Sequence, residues 1–151
     1  MLTSKILAAL FVAIACASCA KPNVTQSSQQ ASLPKQPTPS VDSADVKRVI
    51  ARDPAAHPAA EVQAILSQYG RKEWQREVPR VHLAILKLSN GNIATLRGVT
   101  ALACRDYRDV LTPAESRRYA DLLFFSPDHA RQEAAIAADW QEYQAWLNRE
   151  E

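Results

Sequence analysis

Between Val81 and Tyr107 two apolar runs of helical spacing face each other across the triplet Asn90-Gly91-Asn92. Val81, His82, Ile85, Leu86 and Leu88 share one side of the first run. Ile93, Leu96, Val99 or Thr100, Ala103, Tyr107 and Val110 share one side of the second. A glycine after such a run supplies a left-handed stop and the asparagine behind it an N-cap, so the pattern predicts an αα-hairpin onto which the rest of the chain packs. The second helix is predicted over Ile93 to about Leu111, with Gly98 admitting a neighbouring helix at close range.

The flanking segments carry their own punctuation. Asp42 or Ser43 can cap a short helix through Val46, Val49 and Ile50, which stops before Asp53-Pro54 because the residue ahead of a proline avoids helical geometry. After His57-Pro58, Val62, Ile65, Leu66 and Tyr69 form the apolar face of a helix that Gly70 ends. Trp74 and Val78 extend that spacing toward the hairpin, but Pro79 lacks a backbone donor, so the next helix starts or kinks near Val78. Thr112-Pro113-Ala114-Glu115 has the form of a capping box with proline at the first helical position. It predicts a helix start, and the run Leu122-Leu-Phe-Phe125 at that helix's end calls for burial. Ser126-Pro127 is predicted to open the last helix, with Ile136, Trp140, Tyr143 and Leu147 facing inward. The expected fold is all-α, a small bundle of about five to six helices spanning residues 42–151.

Composition agrees with one helical core, since 151 residues contain only three glycines. The net charge of +2 selects no partner, but its distribution is uneven. Residues 70–118 hold ten Lys or Arg against five acids, and residues 119–151 hold two Arg against seven acids. An acidic last helix lying near a basic hairpin accounts for this; a basic face meeting anionic lipid or an acidic partner is the functional alternative. Nucleic acid is not an expected partner.

The first residues have a different character. Lys5 precedes the ten apolar residues Ile6 to Ala15, which as a helix rise about 15 Å, half of a hydrocarbon core, so the segment reads as an export leader and not a span. Residues 21–41 are rich in Pro, Ser and Gln and read as a flexible tether. Asn23-Val24-Thr25 matches a glycosylation acceptor by chance. At Val12-Ala13-Ile14-Ala15-Cys16 the leader resembles a bacterial lipoprotein signal peptide. The resemblance implies residues 1–15 as signal peptide, diacylation of Cys16 or alternatively Cys19, and a domain held at the membrane on the periplasmic or outer side of the cell envelope; ordinary cleavage after Ala17 or Ala20 would instead release it. A further stretch, Val81 to Asn92 with Asp106 to Leu111, resembles a segment of small helical bacterial proteins of uncharacterised activity, over roughly Val62 to Glu115. It implies the helical fold and transfers no site residues.

Reactive chemistry has few carriers. His82 sits among apolar neighbours, and Arg76, Arg80, Asp106 and Tyr107 are the residues that could join it in a ligand site or hydrolase centre. A metal site is not expected, because in an antiparallel hairpin Asp106 is displaced from the level of His82 by about 9 Å along the axis. Arg105 is expected to pair with Asp109, and Asp106 with Arg76 or Arg80. Cys104 reads as buried and inert. No phosphate loop, HExxH, GxSxG or paired CxxC occurs, no cofactor is expected, and His57 and His129 read as surface residues. The resulting expectation is a membrane-tethered helical interaction module that uses Trp74, Phe124, Phe125, Trp140 and Trp146 to bind itself or a partner protein. The alternative is a soluble exported small-ligand binder or hydrolase centred on His82.

Overall fold

Asp42 starts the first helix by accepting hydrogen bonds from the N–H groups of Ala44 (2.7 Å) and Asp45 (3.2 Å), while the Asp45 carboxylate accepts from the Asp42 N–H (3.1 Å). This reciprocal cap opens α1, Ser43–Arg52. The computed structural model describes residues 34–53, 57–125 and 128–150, with the side chains of Phe124 and Phe125 outside that description. The leader, Cys16, Cys19, Asn23 and most of the tether therefore lie outside the described residues.

The described residues form seven helices: α1, α2 (Ala59–Leu66), α3 (Val78–Ser89), α4 (Ile93–Ala103), α5 (Arg108–Glu115), α6 (Arg117–Phe125) and α7 (His129–Leu147). The fold is the all-α bundle expected, with more and shorter helices. At its centre α3 packs against α1, α4 and α5. Val81, Leu83, Ala84 and Ile85 are all fully buried, because a helix with neighbours on several sides has no single inner stripe. His82, Leu86 and Leu88, expected to face inward, are half-buried at the edges of that contact.

The hairpin turn is as expected, with Asn90 (φ 45°) and Gly91 (φ 76°) both left-handed and Asn92 accepting from the Thr95 N–H at 2.9 Å. The start of α3 at Val78 is also as expected, with Pro79 in its first turn, where a missing N–H leaves no bond unmade.

Several predicted boundaries fall elsewhere. The helix expected over Ile93 to about Leu111 breaks after Ala103 into a turn in which the Asp106 carboxylate accepts from the Arg108 N–H (3.0 Å), and α5 follows. Thr112-Pro113-Ala114-Glu115 lies inside α5 and starts nothing. The start of α6 is capped from across the bundle: Asp139 of α7 accepts from the backbone N–H of Tyr119 (3.0 Å) and Arg118 (3.3 Å). Helix α2 ends at Leu66, and Gly70 closes the turn beyond it with φ +96°. A Cβ on Gly70 would lie 3.1 Å from a Val78 methyl, whereas one on Gly98 would meet nothing within 4 Å, so the close approach expected at Gly98 occurs at Gly70. Leu123, in the run expected to be buried, is 44% exposed. Ser126-Pro127 lies outside the described residues; Asp128 is the N-cap of α7. The inner face of α7 is Gln132, Ala135, Asp139, Tyr143 and Leu147, rotated from the expected stripe, with Ile136 and Trp140 at its edge.

The charge asymmetry resolves into contacts. Glu142 of α7 meets Lys87 of α3 at 3.3 Å and Arg118 of α6 at 2.7 Å, which hold its carboxyl below the usual range. At the other end of α7, the buried Arg52 guanidinium donates to the carbonyls of Trp146, Leu147 and Arg149 at 2.9–3.1 Å. Arg48, also on α1, donates to the Leu147 carbonyl at 2.7 Å, so α1 supplies side-chain donors to the C-terminal end of α7.

Candidate functional site

His82 projects from α3 toward the end of α2, where the carbonyls of Leu66 and Tyr69 face its ring. Burial pushes its pKa down and those carbonyls push it up, with burial the larger effect. Nε2 is buried and has no hydrogen-bond partner. The ring packs edge-on to Tyr69 (centroids 6.2 Å apart, 71° between planes), and Tyr69 in turn tilts against Tyr107 at 6.5 Å. The Tyr69 hydroxyl donates to the Arg76 carbonyl at 2.8 Å, and burial, with the neighbouring Tyr107 next, pushes its pKa up to about 12. A phenol so held remains protonated and anchors the loop between α2 and α3.

That loop has a second anchor with no chemistry-bearing signature in the sequence. Gln75 is buried, and its Oε1 accepts from three successive N–H groups, Gly70, Arg71 and Lys72, at 2.8–2.9 Å. A side-chain amide closing a turn from inside needs only a glutamine at the right distance, which no spacing rule isolates.

The other residues proposed to join His82 go elsewhere. Arg80 donates from Nε to both oxygens of Glu115 (2.8 and 3.1 Å) and also pairs with Glu77. Asp106 pairs with Arg108 (2.6 Å), not with Arg76 or Arg80; that guanidinium and the Arg108 N–H hold its carboxyl down at about 2. Arg105 lies in the break between α4 and α5 and Asp109 in α5, so their expected pair along one helix does not form. Of the candidate set, only Tyr107 and the backbone of Arg76 reach the surroundings of His82, both through Tyr69. Cys104 is half-buried rather than buried, a free thiol 3.5 Å from the Gln68 carbonyl. Among the described residues no three His, Cys, Asp or Glu are grouped to hold a metal ion.

His82 also lines a groove of about 220 Å³ between α1, α2 and α3, whose walls are largely the apolar surfaces of Val46, Val78 and Pro79. What this arrangement offers chemically is an apolar recess with one imidazole at its edge and Ser43, Lys47 and Gln63 as its polar lining. Among the described residues the large apolar side chains that face outward are Trp74, 42% exposed with Lys72 Nζ 5.9 Å from its ring centroid, and Leu123. Trp140 and Trp146 are half-buried on either side of Tyr143. Among the described residues no helix is long and apolar enough to cross a membrane. The chain matches no known protein family, no curated protein and no solved structure.

Proposed function

We propose that this chain is a membrane-tethered helical interaction module of a bacterial cell envelope, lipidated at Cys16, with Cys19 as the alternative anchor. The observation that carries the reading of the domain is the dispersal of the candidate catalytic set. Arg80 is engaged by Glu115 and Asp106 by Arg108, and Tyr69, beside His82, by the Arg76 carbonyl, so the charged groups that would have to join His82 serve the fold. The leader supplies the other half: Val12-Ala13-Ile14-Ala15-Cys16 behind a short apolar run has the lipoprotein pattern. Two or more acyl chains anchor a protein durably, which suits a domain that acts by holding a partner protein or a second copy of itself at the membrane.

Intact mass of the mature protein from its native host, wild type beside Cys16→Ala and Cys19→Ala, tests the anchor. A diacylglyceryl mass lost only with Cys16→Ala supports it. An unlipidated mass beginning after Ala17 or Ala20 removes the membrane from the reading and leaves a soluble exported domain. The groove beside His82 favours one other reading, an exported binder of a small apolar ligand, and an unchanged phenotype with His82→Ala would end it.

A further inference from the structure

Residues 34–41 precede α1 without regular secondary structure, yet Pro39 is buried. The segment Gln36, Pro37 and Pro39 lies over the crevice between the end of α5 and the edge of the inner face of α7, lined by Glu115, Ser116, Ile136, Asp139, Trp140 and Tyr143. The floor of that crevice is aromatic: Trp140 and Tyr143 stack with centroids 6.4 Å apart and 15° between planes. Prolines at 34, 37 and 39 restrict φ and favour an extended backbone, so this segment loses little conformational entropy when it is laid on a surface. Aromatic grooves that accept such preformed segments are a recurrent way of binding proline-rich peptides.

The fit in cis is incomplete. Tyr143 is fully buried, yet its hydroxyl has no hydrogen-bond partner. A buried hydroxyl left without a partner is a net loss to the folded state, and a backbone carbonyl placed over it would recover a bond.

We propose that the α5/α7 crevice is a binding site for an extended proline-rich peptide of a partner protein, and that residues 36–39 occupy it in cis until such a peptide displaces them. The inference deepens the reading of the domain as an interaction module and rests on it for the existence of a partner. A partner whose carbonyl reaches Tyr143 gains a contact the cis segment does not make. The cis segment, joined to α1 within three residues of Pro39, acts at high effective concentration and lowers the apparent affinity of any peptide in trans. Displacement would also free residues 34–41 and lengthen the connection between the anchor and the domain.

The test is fluorescence anisotropy of a labelled nonapeptide with the sequence of residues 33–41, titrated with the full mature chain. A Pro34→Ser, Pro37→Ser, Pro39→Ser triple variant weakens the cis occupant and is expected to bind the peptide at least about tenfold more tightly than wild type. Trp140→Ala in that background should abolish binding. Tyr143→Phe, which keeps the ring, should weaken it about threefold or more. Equal binding by wild type and the triple variant, or equal binding of a peptide with serine in place of its three prolines, overturns the proposal. If the triple variant loses its helical circular dichroism, a flexible insert of about ten Gly and Ser residues between Val41 and Asp42 dilutes the cis segment without altering the crevice; it must bind more tightly than wild type for the proposal to stand. The two readings fail separately: an unlipidated mass removes the anchor and leaves the crevice, whereas absent peptide binding removes the crevice and leaves the anchor.

Discussion

Arg80 of α3 and Glu115 at the end of α5 form a two-point ion pair, with Arg80 Nε 2.8 and 3.1 Å from the two carboxylate oxygens and side-chain exposures of 19% and 10%. The hydrogen bonds to Glu115 raise the Arg80 pKa further above its ordinary value. The pair joins the central helix to the short helix that buries Val110, Leu111 and Ala114, and it lies next to the crevice under Pro39.

Glu115→Gln keeps the shape and removes the charge, and is expected to destabilise the domain by about 2 kcal/mol, the range of a charge-assisted hydrogen bond in partly desolvated surroundings. Glu115→Leu combined with Arg80→Met should recover much of that loss, since an apolar pair leaves no unpaired charge. Urea unfolding of the single and double variants measures both. A loss below about 0.5 kcal/mol for Glu115→Gln would place the pair among ordinary surface contacts.

Two glycines should respond oppositely to the same substitution. Gly70→Ala combines φ +96° with a Cβ 3.1 Å from a Val78 methyl, and is expected to lower stability by more than about 1 kcal/mol. Gly98→Ala adds a methyl in open space within α4 and should raise stability by about 0.5–1 kcal/mol. Thermal melts of the two variants check this, and a stabilised Gly70→Ala would contradict the turn geometry.

Those two positions show which parts of the fold could be read in advance. The turn at Asn90-Gly91-Asn92, the cap at Asp42 and the start of α3 are local, written in residues whose backbone preferences decide them. The break after Ala103 carries a local turn at Asp106 that competes with an unbroken apolar pattern, and the start of α6 depends on Asp139, some twenty residues away in the chain. On α7 the inner face carries Gln132 and Asp139, so counting apolar positions rotates it toward Ile136 and Trp140. At the candidate site, His82 was visible as a polar residue among apolar ones. Its real neighbour, Tyr69, read as an ordinary core residue on a different helix, and Gln75 carried no signal.

The cap that α1 places on α7 gives a local prediction. Arg52→Met retains much of the apolar stem but removes the Arg52 donor from the carbonyls of Trp146, Leu147 and Arg149, leaving Leu147 with Arg48 at 2.7 Å and Trp146 with the Arg149 N–H at 3.4 Å. Hydrogen exchange of the last turn of α7 should accelerate several-fold more than exchange in α3, because fraying begins at an uncapped end. Uniform acceleration across both helices would mean that Arg52 supports the whole bundle instead.

The last prediction concerns pH. Burial lowers the His82 pKa from 6.5 in the folded protein, so between the folded and unfolded values the unfolded chain binds the proton and the native state does not. The contribution of neutral His82 to stability is therefore fully present above about pH 6.5 and is lost as pH falls below it, at up to about 1.4 kcal/mol per pH unit for one proton. Tyr69, pushed up to about 12, and Asp106, held down at about 2, stay in one protonation state across this window and leave the slope to other groups. His82→Gln removes the titration while keeping a polar side chain of similar reach. Urea midpoints from pH 7.5 to 5 should fall less steeply for His82→Gln than for wild type, with the two curves diverging only below about pH 6.5. Parallel curves over the whole range would mean that the imidazole is as readily protonated in the folded protein as in the unfolded chain, and that burial does not govern its titration.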